Sequence, residues 1–238
     1  MSEKPSSNDQ ALRLKHLAVI PDGNRRWARE QGLAPHEGHL RGVQVVKMIV
    51  RTCRRQGIPY LTLWAFSSDN WSRTRMETDI LMRIFEKGIL DNTRELVESG
   101  VRIRHVGRKD RLPAKVREAM QMMERQSEAN DALTLNVAMD YGGRDEILRA
   151  CRKAISTGVD PDALTEEKFS SLLDTADQPD PDLLIRTSGE GRTSGLMPWQ
   201  CAYSELLFLQ KMFPELTEED IDSAIEQFGK RKRRFGGD

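Results

Sequence analysis

The chain has 238 residues, 31% of them charged, with 37 basic and 37 acidic side chains and hence no formal net charge. That balance gives nucleic-acid binding no support, and the length suits one α/β domain with a substantial core. No apolar run approaches a membrane span, and Cys53, Cys151 and Cys201 lack metal or redox spacing, which fits a reduced, cytoplasmic protein.

Residues 1–15 are expected to be a disordered tail, polar from Met1 to Gln10 and without the apolar centre of a signal peptide; one domain follows over 16–238. Leu17 to Ile20 is a short apolar run rich in β-formers and predicts a buried strand. Pro21 stops it. Asp22-Gly23-Asn24 is turn chemistry, in which Gly23 permits a positive φ and Asp22 or Asn24 can cap a helix starting at Arg25. One carboxylate thus lies at a strand's carboxyl end, facing a helix N-terminus that carries Arg25 and Arg26. Ligands bind at that place in open α/β sheets, and helix N-termini favour anions. A carboxylate beside a phosphate needs a divalent cation between them, while arginines grip the phosphate directly. The stretch suggests a magnesium-diphosphate site, although an ordinary turn before an amphipathic helix with a packed Trp27 reads the same.

Gln31 to His39, with Gly32, Pro35 and Gly38, reads as a loop. Leu40 to Gln56 predicts a helix with Val43, Val46, Val50 and Cys53 on its apolar side, ended by Gly57. Tyr60 to Phe66 is a second buried strand, running into the polar loop Ser67-Ser68-Asp69-Asn70-Trp71-Ser72-Arg73. A long helix follows from Met76 to Ser99; it either covers the sheet or lines an apolar tunnel. Val101 to Val106 alternates apolar and basic residues as a strand with one less buried face. Pro113 to Ala129 predicts a charged helix, Leu133 to Met139 a strand, Asp140 to Arg144 a glycine turn, and Asp145 to Ser156 a helix. Thr165 caps a short helix to Leu173. Leu183 to Ile185 is a strand leading into Arg186 to Gly195, and Glu205 to Leu209 is a last strand. Thr217 caps a helix from Glu218 to about Phe228, before a basic tail.

Strands alternating with helices predict a mostly parallel central sheet of about six strands with helices on both faces. The polar clusters at Asp22, Ser67, Asp140 and Arg186 all follow strands, so they converge on one edge. The Arg186 to Ser194 loop is a second anion cradle: guanidinium forks match phosphate, hydroxyls donate, and glycines admit backbone N–H groups. A flexible surface loop is its plain alternative. Glu205 is either a second metal carboxylate or a solvated charge at a strand start. Trp27, Trp64, Trp71 and Trp199 suit packing. Lys230 to Arg234 is a solvated end, an anion clamp or a contact with acidic lipid.

Together, Asp22-Gly23-Asn24-x-Arg26-Trp27, Gly38-His39, Phe66-Ser67-Ser68-Asp69-Asn70-Trp71-x-Arg73, Tyr141-Gly142-Gly143-Arg144, Ile185-Arg186-Thr187, Trp199-Gln200-x-Ala202-Tyr203-x-Glu205 and Arg234-Phe235-Gly236 resemble the cis-prenyltransferase (undecaprenyl diphosphate synthase) family. The resemblance runs from His16 to Gly237. It implies elongation of an allylic diphosphate, typically farnesyl diphosphate, by isopentenyl diphosphate with cis double bonds, beside an apolar tunnel in a homodimer. It further implies that Asp22 holds Mg²⁺, with Glu205 as a further ligand. By the same likeness Gly23, Asn24, Arg25, Arg26, Trp27 and His39 surround the allylic diphosphate, and Arg186, Arg192 and Ser194 bind the other. Ser67, Ser68, Asn70, Trp71 and Arg73 belong to a linking loop in which Asn70 or Ser67 assists proton removal. Product release implies a peripheral membrane contact.

The chain departs from the family pattern. Pro35 stands where an arginine is common, Asp69 for glutamate, Ser188 for glycine and Asp140 for asparagine, while Gly195 and Pro198 alter the run before Trp199. The long helix lacks the insertion of very long-chain members, which favours a short- to medium-chain product. The alternatives are a catalytically silent accessory subunit, against which the retained Asp22, Arg186, Arg192, Ser194 and Glu205 argue, and an irregular prenyl-condensing member.

Overall fold

A computed structural model describes residues 13–231. Its six strands are β1 (His16–Ile20), β2 (Tyr60–Ser67), β3 (Val101–Val106), β4 (Leu133–Tyr141), β5 (Leu183–Arg186) and β6 (Glu205–Phe208). They form one sheet in the order β3-β4-β2-β1-β5-β6, and every pairing is parallel. The helices are α1 (Asn24–Glu30), α2 (Pro35–Arg55), α3 (Arg75–Glu98), α4 (Ala114–Gln126), α5 (Gly143–Ser156), α6 (Glu166–Ser170) and α7 (Glu218–Gly229).

Side chains alternate across each strand, and the two faces are covered differently. Leu17, Val19, Leu61, Leu63, Leu135 and Ile185 face a large core shared with Ile49 and Cys53 of α2, Leu81 of α3, Met120 of α4 and Ile221 of α7. Ala18, Ile20, Ala138 and Leu184 point the other way, under Leu196 and Met197 of the long β5–β6 connection. Beside them Trp199 packs on Phe169 of α6, in a cluster with Ala150 of α5.

Several boundaries differ from expectation. Helix α2 begins at Pro35, so Pro35, Gly38 and His39 occupy its first turns rather than a loop. Proline fits there because the first helical N–H has no partner in any case. Gly38 is required at that point: a Cβ would lie 2.0 Å from the Asn24 carbonyl oxygen, so α1 and α2 could not approach. The cap of α1 is Gly23 itself, at φ 93, with no side-chain cap from Asp22 or Asn24. Val43 and Val46 border a cavity, and Val45 and Ile49 supply the fully buried stripe of α2. Strand β4 continues through Asp140 and Tyr141, leaving only Gly142 before α5. The loop after β2 is a 3-10 turn over Ser68–Ser72. Of the expected tail, residues 13–15 lie against the domain: Leu14 is buried and the Lys15 backbone N–H donates to Asp182 Oδ2 at 2.8 Å. Residues 1–12, and the basic end beyond Arg231 with Arg234-Phe235-Gly236, fall outside the described residues.

Candidate active site

Strand β1 lies between β2 and β5. The chain leaves it toward β2 on one side and later returns as β5 on the other, which opens a crevice at the carboxyl ends of β1 and β5. The register aligns Ile20 with Arg186 there, so Asp22, two residues past β1, meets Arg186 at the end of β5. Arg186 is 5% exposed. Its Nη2 donates to Asp22 Oδ2 at 2.8 Å, and its Nη1 donates to the Arg192 carbonyl at 2.8 Å and to Ser194 Oγ at 2.6 Å.

Thr187 fixes the Asp22 backbone on both sides. The Asp22 N–H donates to Thr187 Oγ1 at 2.8 Å, and that hydroxyl donates to the Asp22 carbonyl at 2.8 Å. Asp22 Oδ1 accepts from the Gly23 N–H at 2.7 Å, with Arg26 Nη2 3.7 Å away. Glu190 sits between two further guanidinium groups, 3.4 Å from Arg26 and paired with Arg192.

The second part of the mouth is built by α1, α2 and the start of α3. Arg25 pairs with Glu77 at 3.1 Å. Burial, then Arg73, Arg25 and His36, push the His39 imidazole down to about 4. His39 is therefore neutral near pH 7 and offers a hydrogen bond rather than a charge. Burial and the adjacent Arg25 also lower the Arg73 pKa from its usual value. Asn70 Oδ1 accepts from the Ser67 N–H at 3.1 Å, closing the 3-10 turn. Trp71 anchors that turn by donating from Nε1 to Asp140 Oδ1 at 2.9 Å, while its ring packs edge-on against Phe66. Asp140 is fully buried and also accepts from Arg111 Nε at 2.8 Å.

Below this rim lies a cavity of about 460 Å³. Asp22, Asn24, His39, Asn70, Arg73 and Arg186 stand at its polar mouth, and Val46, Phe85, Ile89, Leu96, Leu135 and Met139 line its interior. Among the described residues, five buried polar side-chain atoms have no hydrogen-bond partner; two of them, Asn24 Oδ1 and Arg186 Nε, belong to residues lining this mouth, and a third, Ser188 Oγ, lies next to Gly23. Buried polar groups are normally satisfied, so such orphans mark a place where a ligand or water belongs. Ser188 holds a φ of 75 where the family pattern has glycine, which places strained backbone at the same spot.

The structure thus brings Asp22, Gly23, Asn24, Arg25, Arg26, His39, Ser67, Asn70, Arg73, Arg186, Arg192 and Ser194 to one edge. Ser68 also borders a neighbouring cavity with Tyr141 and Arg144. Trp71 acts through Asp140, and Trp27 is half-buried on α1. Glu205 is not brought to Asp22 within the chain. It pairs in register with Leu183 at the amino end of β5, three residues or roughly 10 Å from Arg186, and Arg231 holds it in an ion pair. Thr187 and Glu190 also stand at this crevice, although motif reading assigned neither a role; Thr187, quoted only within Ile185-Arg186-Thr187, was legible as the hydroxyl directly after the strand-end arginine.

No group of three or more His, Cys, Asp or Glu side chains among the described residues has the arrangement of a metal cage. One carboxylate beside several arginines instead fits a Mg²⁺ carried by phosphate oxygens, since Mg²⁺ keeps waters and takes one or two carboxylates plus substrate.

The family model of undecaprenyl diphosphate synthases matches residues 20–236. An isoprenyl transferase of Aquifex aeolicus is 46% identical over 222 residues, 93% of this chain and 95% of its own. One from Thermotoga maritima is 45% identical over 227 residues, 94% of this chain and 97% of its own. Among solved structures, lavandulyl diphosphate synthase from Lavandula x intermedia, in complex with dimethylallyl diphosphate, superposes with a TM-score of 0.91 at 38% identity, covering 94% of this chain and 98% of that one. A probable undecaprenyl diphosphate synthase from Campylobacter jejuni gives 0.81 at 34% identity, with the same coverage of 94% and 98%.

Proposed function

The chain belongs to the undecaprenyl diphosphate synthase family of cis-prenyltransferases, and from that premise we propose that it condenses isopentenyl diphosphate onto farnesyl diphosphate to a short- or medium-chain product. The observation that carries this reading is the Asp22–Arg186 pair, with its orphaned neighbours, at the mouth of an apolar cavity. A diphosphate binds best where guanidinium forks and unpaired donors converge, and a prenyl chain belongs in the apolar space below, which we assign as its tunnel.

Each condensation forms one carbon–carbon bond between C1 of the allylic substrate and C4 of isopentenyl diphosphate. The allylic C1–O bond breaks, diphosphate leaves with the electron pair, and one proton is lost from C2 of the former isopentenyl unit. Arg25, Arg26, Asn24 and neutral His39 would hold the allylic diphosphate, and the Gly23 N–H would face it. Arg186, Arg192 and Ser194 would hold the second diphosphate. Fixed cations facing the leaving group stabilise the charge that develops there. Asp22 would hold Mg²⁺, whose Lewis acidity adds to that stabilisation. Asn70 or Ser67, on the turn that Trp71 anchors, would receive or relay the departing proton.

We assign a homodimer and a cytoplasmic location to the working enzyme. No helix among the described residues is long and apolar enough to cross a membrane, so a lipid product would be handed over by peripheral contact. A second reading, irregular condensation of two dimethylallyl units, is supported by the similarity to lavandulyl diphosphate synthase.

The test is incorporation of labelled isopentenyl diphosphate with Mg²⁺ and farnesyl diphosphate, beside dimethylallyl diphosphate alone. A ladder ending at one length, abolished by chelator, is expected. Product from dimethylallyl diphosphate alone would replace the first reading with the second. No product under either condition from folded protein would leave the silent subunit.

A further inference from the structure

Below its mouth the cavity is apolar except at two residues, Lys47 of α2 and Asn92 of α3. Asn92 turns inward on its own helix, its Nδ2 donating to the Gly88 carbonyl at 2.6 Å. Lys47 does not. Its stem borders the cavity while its Nζ reaches Glu95 Oε2 at 2.5 Å, with Arg51 Nη1 4.0 Å from the other oxygen. The Lys47 side chain is 22% exposed and that of Glu95 52%. The ammonium therefore leaves the cavity for the seam between α2 and α3, so the Lys47 side chain has its stem at the interior and its charged head on the partly exposed side. Lys47 is eight residues beyond His39, about 12 Å along the helix axis, and Glu95 lies in the final turn of α3. The pair lies well below the mouth, with Val50 three residues further along α2 and Leu96 next to Glu95 also lining the cavity.

We propose that the Lys47–Glu95 clasp is a side gate that limits the length of the prenyl chain. The inference rests on the elongating reading above. A chain anchored by its diphosphate at the mouth extends away from Asp22 with every unit added. Once its end meets the stem of Lys47, further growth must break the ion pair or push apolar carbon between α2 and α3 into water. Separating the pair leaves an ammonium against an apolar interior, and exposing prenyl carbon forfeits its burial. Both oppose the next condensation, so release of the product overtakes it. Large aliphatic residues in the wall set how wide the cavity is; the clasp sets the depth at which growth becomes costly.

Product ladders from farnesyl diphosphate and labelled isopentenyl diphosphate should be compared for the unaltered chain, Lys47→Ala, Glu95→Gln and Lys87→Ala. Lys87 pairs with Asp91 at 2.8 Å on the outer side of α3 and serves as the surface control. Lys47→Ala and the milder Glu95→Gln should each move the terminal product at least one five-carbon unit longer, with Lys87→Ala unchanged. Terminal lengths unchanged or shortened in both gate variants, with incorporation retained, would overturn the gate alone. Absence of any ladder from the unaltered chain would instead remove the elongating reading, and the gate with it.

Discussion

Strand β1 ends in two buried polar clusters of opposite character. At its amino end, His16 bonds to the Pro179 carbonyl through Nδ1 at 2.7 Å and to Thr62 Oγ1 through Nε2 at 2.8 Å. Asn136 Nδ2 donates to Thr62 Oγ1 at 3.0 Å and to Gln178 Oε1 at 2.6 Å, and Gln178 donates back at 3.0 Å. None of these side chains is left with an orphaned buried atom. At its carboxyl end, around Asp22, orphaned atoms, a left-handed serine and surplus guanidinium groups accumulate. A network that satisfies itself holds three strands and the 178–179 segment together. One that does not is held open for another molecule, and the surrounding fold bears its cost.

The comparison breaks most directly through activity. Asp22→Ala should lower isopentenyl incorporation by roughly 10²–10³-fold under conditions where the variant is still folded, although Arg186 loses its carboxylate partner and stability falls; incorporation falling only in step with the folded fraction would make Asp22 a structural residue instead. Acid titration addresses the other end. Burial pushes His16 down to about 4, below its unfolded value of about 6.5. The unfolded chain therefore binds the extra proton first. His16 favours the folded state fully above pH 6.5, and that contribution is lost as pH falls toward 4, on the order of 3 kcal/mol in all. Urea midpoints from pH 7 to 4 should show the fall, and His16→Gln should flatten it.

His39 is lowered to about 4 as well, partly by Arg73 and Arg25, so added diphosphate should raise its proton affinity and leave His16 unmoved. Imidazole resonances followed through the same pH range, with and without inorganic diphosphate, measure this; parallel behaviour of the two histidines would dissolve the distinction. Asn136→Ala should cost about 2 kcal/mol by removing both side-chain hydrogen bonds of Gln178 and one of the two at Thr62, which keeps His16, with turnover retained. The smallest effect is a gain. Ser188→Gly removes both the left-handed strain and a buried unpartnered hydroxyl, and should stabilise by about 1 kcal/mol, a rise of roughly 2–4 °C in a melting scan.

The carboxyl end was the more legible of the two. Asp22-Gly23-Asn24 after an apolar run and Arg186 after another announce strand ends, and parallel topology puts such ends on one edge. His16, Thr62 and Asn136 lie on three strands far apart in the chain, and only the register shows that they share a face. Register also decided Glu205, since a parallel strand recognised by composition does not reveal which partner residue its first position meets. Pro35 misled for a different reason: proline breaks helix interiors but opens helices well, and its letter alone does not say which. The valine stripe of α2 marked an apolar face correctly without distinguishing a packed wall from a cavity wall.

Glu190 gives the site a resting occupant. It spans Arg26 and Arg192, one cation from each proposed diphosphate position, and so keeps both from repelling each other when nothing is bound. Arrival of a diphosphate then trades one anion for another. The net gain in attraction is smaller than an empty cradle would give, and departure is faster for the same reason, because a tethered carboxylate is waiting to return. For a catalyst that must discharge a diphosphate after every unit it adds, a moderate grip favours throughput over tightness.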